Sequence, residues 1–194
     1  MSQLVELREE AAGCTRCPLA AARTHVVFGE GDPHAGLMIV GEGPGREEDR
    51  LGRPFVGRSG QLLDRLLLEE TALARQDVYI ANVVKCRPPN NRDPLPDEIA
   101  ACRPYLDHQV ALIQPAVVLT LGNFASRTLL GTAEGITRLR GRTHAWPAGP
   151  GPVVVPTFHP AAALRGGGEV LAKMRADFVR ARQTLDATRA AGSR

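Results

Sequence analysis

Short apolar runs alternate along the chain with segments of helical period. Residues 37–40 (LMIV), 78–84 (VYIANVV), 116–121 (AVVLTL) and 153–158 (VVVPTF) read as four buried strands. Between and around them, residues 5–12, 61–68 (QLLDRLLL), 97–113, 123–130 and 169–187 carry the spacing of amphipathic helices. Residues 136–146 read as a hairpin. Strands alternating with helices predict an α/β fold: three layers, α/β/α, around a central, mainly parallel four-stranded sheet. Such sheets bind ligands beyond the C-terminal ends of their strands. That rule directs attention to residues 41–57, 85–96, the Gly122 turn and 159–168.

The 194 residues suffice for one domain, 1–194, with a frayed tail from about 188 to 194. No apolar stretch has the length of a signal peptide or a membrane span, which predicts a soluble, cytoplasmic, monomeric protein. Net charge is +3, and the only lysines are Lys85 and Lys173. A mildly basic, Arg-dominated chain permits nucleic-acid binding without requiring it.

The loop at 41–57, GEGPGREEDRLGRPFVG, follows the first apolar strand. It is not a dinucleotide fingerprint, because Arg46 stands where the third glycine belongs, and the P-loop lysine is also missing. Glu42, Glu47, Glu48 and Asp49 would repel a polyphosphate. The glycines suit another task, the close approach of backbone to a flat ligand. Phe55 then offers either a stacking face or an ordinary core ring.

Cys14 and Cys17 form a C-x2-C pair, and Cys86 and Cys102 follow as C-x15-C. In a chain of intracellular character this pattern favours a metal over disulfides. Four thiolates fit a [4Fe–4S] cluster or an all-cysteine zinc site, and the wide second spacing leans toward iron–sulfur.

GEGPG followed by EED, then GRPFVG, Asn82, KCRPPNNR and FHPA occur in that order between Cys14 and about Arg165. With the four cysteines, these motifs resemble the family 4 uracil-DNA glycosylases, iron–sulfur enzymes of bacteria and archaea. The resemblance implies a uracil-DNA glycosylase-like fold and a base-excision DNA repair activity. The enzyme would flip uracil out of single- or double-stranded DNA and hydrolyse its N-glycosidic bond. The abasic site would pass to downstream repair enzymes. Cys14, Cys17, Cys86 and Cys102 would hold one structural [4Fe–4S] cluster.

The resemblance assigns uracil binding to Gly41, Glu42, Gly43, Phe55, Asn82 and His159. Stacking of a base on an aromatic ring is worth about 1–3 kcal/mol. An Asn amide carries both donors and an acceptor, matching uracil O4 and N3–H and mismatching cytosine. His159 would donate to O2 as the anionic base leaves, helped by amides around 41–43. Where other uracil glycosylases carry a water-activating Asp, this chain has Gly43. Glu48 is then the first candidate base and Glu42 the second, unless water captures the sugar unaided. Relatives that trap uracil covalently use a histidine in the loop after the second strand; KCRPPNNRDP has none. Neither lysine fits a Schiff-base role, so a monofunctional enzyme without lyase activity is expected. Lys85, Arg87, Arg92 and Arg165 are the candidate DNA contacts, and the segment from 160 through Leu164 the candidate wedge. An iron–sulfur electron carrier, or a non-catalytic DNA-binding module with a four-cysteine metal site, would use the cysteines but not Phe55, Asn82 and His159.

Overall fold

A computed structural model describes residues 2–192. In chain order the elements are α1 (Gln3–Ala12), β1 (Glu30–Gly31), β2 (Leu37–Gly41), α2 (Arg46–Leu51), α3 (Arg58–Thr71) and β3 (Tyr79–Asn82). They continue with α4 (Pro96–Ile113), β4 (Val117–Leu121), α5 (Gly122–Leu130), α6 (Ile136–Leu139), β5 (Val153–Thr157) and α7 (Pro160–Gly192).

The sheet has five strands in the order β1-β3-β2-β4-β5. The four predicted strands all pair in parallel, with registers such as Ile39 opposite Ile80 and Leu119. The fifth strand, β1, is a two-residue antiparallel edge on β3, too short to leave a periodic signal. Side chains alternate across the sheet with the strand period. Met38, Val40, Tyr79, Ala81 and Val118 join α1, α4 and α5 on one face. Leu37, Ile39, Ile80, Val117 and Leu119 join α3 and α7 on the other. The result is the three-layer α/β/α arrangement expected.

Helix α3 shows how the layers are held. Leu62, Leu63, Leu66 and Leu67 repeat at helical spacing and are all buried against β2, β4 and α7. Truncating one such leucine to alanine costs about 2–5 kcal/mol.

Three expectations need correction. Residues 136–146 do not form a hairpin: Gly135 starts the short helix α6, and only His144 bridges to Val154. The acidic turn after β2 is not all loop, because Arg46–Leu51 coils into α2 with Glu47, Glu48 and Asp49 in its first turn, where carboxylates favour a helix N-terminus. The loop expected at 159–168 is helical from Pro160 up to a break at Gly167 (φ 70°, ψ −157°), after which the helix expected from 169 follows. It continues through residues 188–192 of the expected frayed tail; Ser193 and Arg194 lie outside the described residues.

A candidate base-binding cleft and a four-thiol cavity

The loops that follow β2, β3 and β5 converge on one cleft of about 520 Å³. Glu42, Gly43, Glu48, Phe55, Asn82 and His159 all line it, with Arg92 and Arg165 at its rim. Six separate predictions from sequence thus fall on one surface because parallel strands end on the same edge.

Asn82 closes β3 and is 1% exposed. Its Oδ1 has no hydrogen-bond partner among the described residues. An unpaired buried acceptor costs about 1–3 kcal/mol, a cost that an external donor would relieve. Gly41 explains how the amide reaches its place. A Cβ on Gly41 would stand 2.5 Å from Asn82 Oδ1 and 2.6 Å from Phe55 Cζ. Gly41 is itself buried behind these two side chains, and its role is to let them approach; it does not form the cleft surface.

Phe55 is 7% exposed, and its ring lies 5.9 Å from that of His159, tilted by 33°. Its φ of 50° is in the left-handed region, which costs a non-glycine residue on the order of 1–3 kcal/mol. It is both a core ring, packed with Ile39 and Leu63, and a wall of the cleft.

His159 follows β5. Its Nδ1 accepts the N–H of Ala161 at 3.1 Å. A backbone N–H can only donate, so the neutral ring carries its proton on Nε2. Burial, reinforced by the Arg165 charge and opposed by Glu48, pulls the imidazole down to about 4. The ring is therefore neutral at pH 7 and offers one N–H donor.

The two carboxylate candidates separate. Glu48 Oε1 accepts the N–H groups of Val56 (3.0 Å) and Gly57 (3.4 Å), so it braces the turn that carries Phe55. Glu42 stands beside Asp93 and is pushed up to about 7, first by burial and then by that neighbouring charge. A carboxyl poised near neutrality is the better proton acceptor. Asp93, at the end of a Pro-rich loop, gave no sign of this role in sequence.

The basic candidates divide likewise. Lys85 is not a phosphate contact: it is 1% exposed, and its Nζ donates to the Asn82 carbonyl (2.8 Å) and Gln109 Oε1 (2.6 Å). An apolar strand continuing into the loop carried the lysine inward with it. Arg92 makes a two-pronged pair with buried Glu98, at 2.6 and 2.8 Å, which fixes the loop onto α4. Arg87 bonds Asn91 Oδ1 at 2.7 Å. Arg165 is exposed at the cleft, next to exposed Leu164.

Behind the loop after β3 lies a second, much smaller cavity, about 10 Å³, lined by Cys14, Cys17, Cys86 and Cys102 together with Arg16, Arg23 and Lys85. Cys102 Sγ accepts the backbone N–H of Lys85 at 3.2 Å, and Cys86 Sγ the Arg23 guanidinium at 3.5 Å. Burial pushes the Cys86 thiol up to about 11. Among the described residues no three His, Cys, Asp or Glu side chains gather as a single ion requires. The four thiols line one cavity with N–H donors and cations around it, the donor set that a [4Fe–4S] cluster takes and that an all-cysteine zinc site takes too.

The family model for the uracil DNA glycosylase superfamily matches residues 28–186. A type-4 uracil-DNA glycosylase of Thermotoga maritima is 48% identical over 174 residues, covering 89% of each chain. That of Sulfurisphaera tokodaii is 47% identical, covering 84% of this chain and 77% of its own, and that of Saccharolobus solfataricus is 46% identical over 84% and 78%.

Proposed function

This chain belongs to the uracil DNA glycosylase superfamily, alongside its type-4 members, and from that premise we propose a monofunctional enzyme that excises uracil from DNA. The observation that carries the reading is the buried, unpartnered Asn82 Oδ1 at the floor of a cleft between Phe55 and His159. An electron carrier has no use for such an atom.

A flipped uracil stacks on Phe55, its N3–H donating to Asn82 Oδ1 and its O4 accepting from the Asn82 amide nitrogen. Cytosine would set an acceptor against Oδ1 and a donor against the amide N–H, leaving buried groups unpaired. The neutral His159 donates from Nε2 to O2 as the C1′–N1 bond breaks and its electron pair moves onto the base. Glu42 in its ionised form accepts a proton from the water whose oxygen attacks C1′. Uracil leaves as the anion and is later protonated, and the sugar keeps a hydroxyl. Arg165, exposed at the cleft, would meet a phosphate, and the exposed Leu164 beside it would enter the stack as the wedge.

No lysine supports a lyase step. Lys85 is enclosed, and Lys173 is engaged on α7 by Glu169 at 2.6 Å. Cys14, Cys17, Cys86 and Cys102 would hold a [4Fe–4S] cluster. When bound, the cluster supplies four iron–sulfur bonds that tie the segment after α1 to the loop after β3 and to α4.

The test is a labelled oligonucleotide carrying one uracil, incubated with the protein and divided between alkali and neutral buffer. Alkali-dependent scission at uracil, and none with cytosine or thymine there, is the expected result. Scission without alkali would overturn the monofunctional assignment. No scission by folded, brown protein would overturn the catalytic one.

A further inference from the structure

Arg75 lies outside the cleft, in a short turn before β3, with its side chain 20% exposed. Its guanidinium reaches back to the turn that carries Phe55. Nη1 donates to the Phe55 carbonyl at 3.3 Å and Nη2 to the Pro54 carbonyl. Two carboxylates hold the guanidinium itself: Glu30 Oε1 accepts from Nε at 2.7 Å, and Asp64 Oδ1 accepts from Nη1 at 3.0 Å. Glu30 is in turn gripped by Arg53 at 2.7 and 3.1 Å.

The turn is thus clamped on both sides. Arg75 takes the carbonyls of Pro54 and Phe55, while Glu48 takes the amides of Val56 and Gly57. A Cβ on Gly60 would fall 1.8 Å from the Phe55 oxygen, so the first turn of α3 presses against the same peptide. Between these supports Phe55 keeps its left-handed φ of 50°. A side chain in that region relaxes to a commoner conformation unless its surroundings forbid it.

We propose that Arg75 is a positioning residue for base recognition, holding the Phe55 ring in its stacking pose by chelating the two carbonyls of a strained turn. Lysine cannot replace it. An ammonium is a point charge, whereas the planar fork presents separate donors to two carbonyls and two carboxylates at once. The inference rests on Phe55 being the stacking surface.

The experiment compares wild type, Phe55→Ala, Arg75→Ala, Arg75→Lys, the Phe55→Ala/Arg75→Ala double variant, and Arg53→Ala. Arg53→Ala is the control, since the Arg53 side chain shares Glu30 and bonds neither the Pro54 nor the Phe55 carbonyl. Two affinities are read: for an oligonucleotide with a non-hydrolysable uracil nucleotide, and for the same oligonucleotide with an abasic site. Arg75→Lys keeps the charge beside Glu30 and Asp64 and serves if the alanine variant does not fold. The expected result is a loss of about 5- to 100-fold for uracil DNA in Arg75→Ala and Arg75→Lys, the range that one stacked base covers. Abasic DNA should bind unchanged, and the double variant should be no weaker than Phe55→Ala.

Equal weakening toward abasic DNA would show a merely structural role and overturn the proposal. So would additive losses, or wild-type affinity in either Arg75 variant. If Phe55→Ala itself binds uracil DNA normally, the stacking assignment fails instead, a different outcome.

Discussion

The cleft and the thiol cavity are joined by one short segment, Asn82 to Cys86, yet they are built on opposite terms. In the cavity Cys102 and Cys86 each receive an N–H, and Lys85 is enclosed by the Asn82 carbonyl and Gln109. In the cleft an amide oxygen is left bare and a phenylalanine is held at φ 50°. The first region spends its interactions on stability. The second leaves them unmade in the folded state, as the proposed substrate site requires. Lys85 is the hinge between the two, with its backbone N–H on a thiol and its ammonium on the residue proposed to read the base.

The sharpest way to break this contrast is to attack the cavity. Cys102→Ala should abolish the broad absorption near about 400 nm expected of a [4Fe–4S] protein and lower the thermal midpoint together with activity. A colourless variant with an unchanged melting curve would show that the cavity is not the supporting region.

In the cleft the effects should fall on rate alone. His159→Ala should lower the single-turnover rate of uracil release by about 10²–10³-fold, the loss seen when one preorganised donor is removed. Its melting temperature should stay near that of wild type.

Asn82→Ala should cost about 10²-fold in kcat/KM, since two polar groups of the base then go unpaired. The same change should leave stability level or raise it, because it deletes an unpartnered buried acceptor. A clear drop in melting temperature would mean that Asn82 braces the sheet edge.

The smallest effect is a matter of pH. With Glu42 at about 7, roughly a tenth of it is ionised one unit below that value. The single-turnover rate should therefore fall about tenfold per unit below pH 7. His159, at about 4, stays neutral through this window, and Asp93, Arg92, Glu48 and Arg165 are the other charged groups around the cleft. Glu42→Gln should be slower, with a flat profile. Stability carries opposite signs. Glu42 holds a proton in the folded state that the unfolded chain has lost, so its contribution declines as pH rises from about 4.5 to about 7. His159 lacks one that the unfolded chain binds, so its contribution declines as pH falls from about 6.5 to about 4. Each single variant should expose the slope of the other in urea titrations at pH 5 to 7.

The four long strands were legible because parallel strands buried on both faces are continuous apolar runs. The edge strand β1 was not, since two residues carry no period. The helix α2 hid inside a glycine-rich turn whose acidic residues read as ligand chemistry, although they also suit a helix N-terminus. Candidate residues of the cleft were named through the family resemblance, since residue type alone left their roles open: an Asn ending an apolar strand, a His before Pro160, a Phe among glycines. Lys85 was misread because burial of a lysine depends on distant partners, the Gln109 side chain among them. Arg75 gave no signal at all, being one arginine among many.

By itself the sequence determined the layering, the parallel sheet, the edge on which a site must lie and the set of side chains able to do chemistry there. These follow from local periodicity and residue type, which each segment carries without its neighbours. Only the tertiary structure decided which carboxylate faces a neighbouring charge and which braces a turn, which cation is buried, and what holds Phe55 in its strained pose. Protonation, desolvation and strain are set by groups brought together from distant parts of the chain. They come into being when the layers close.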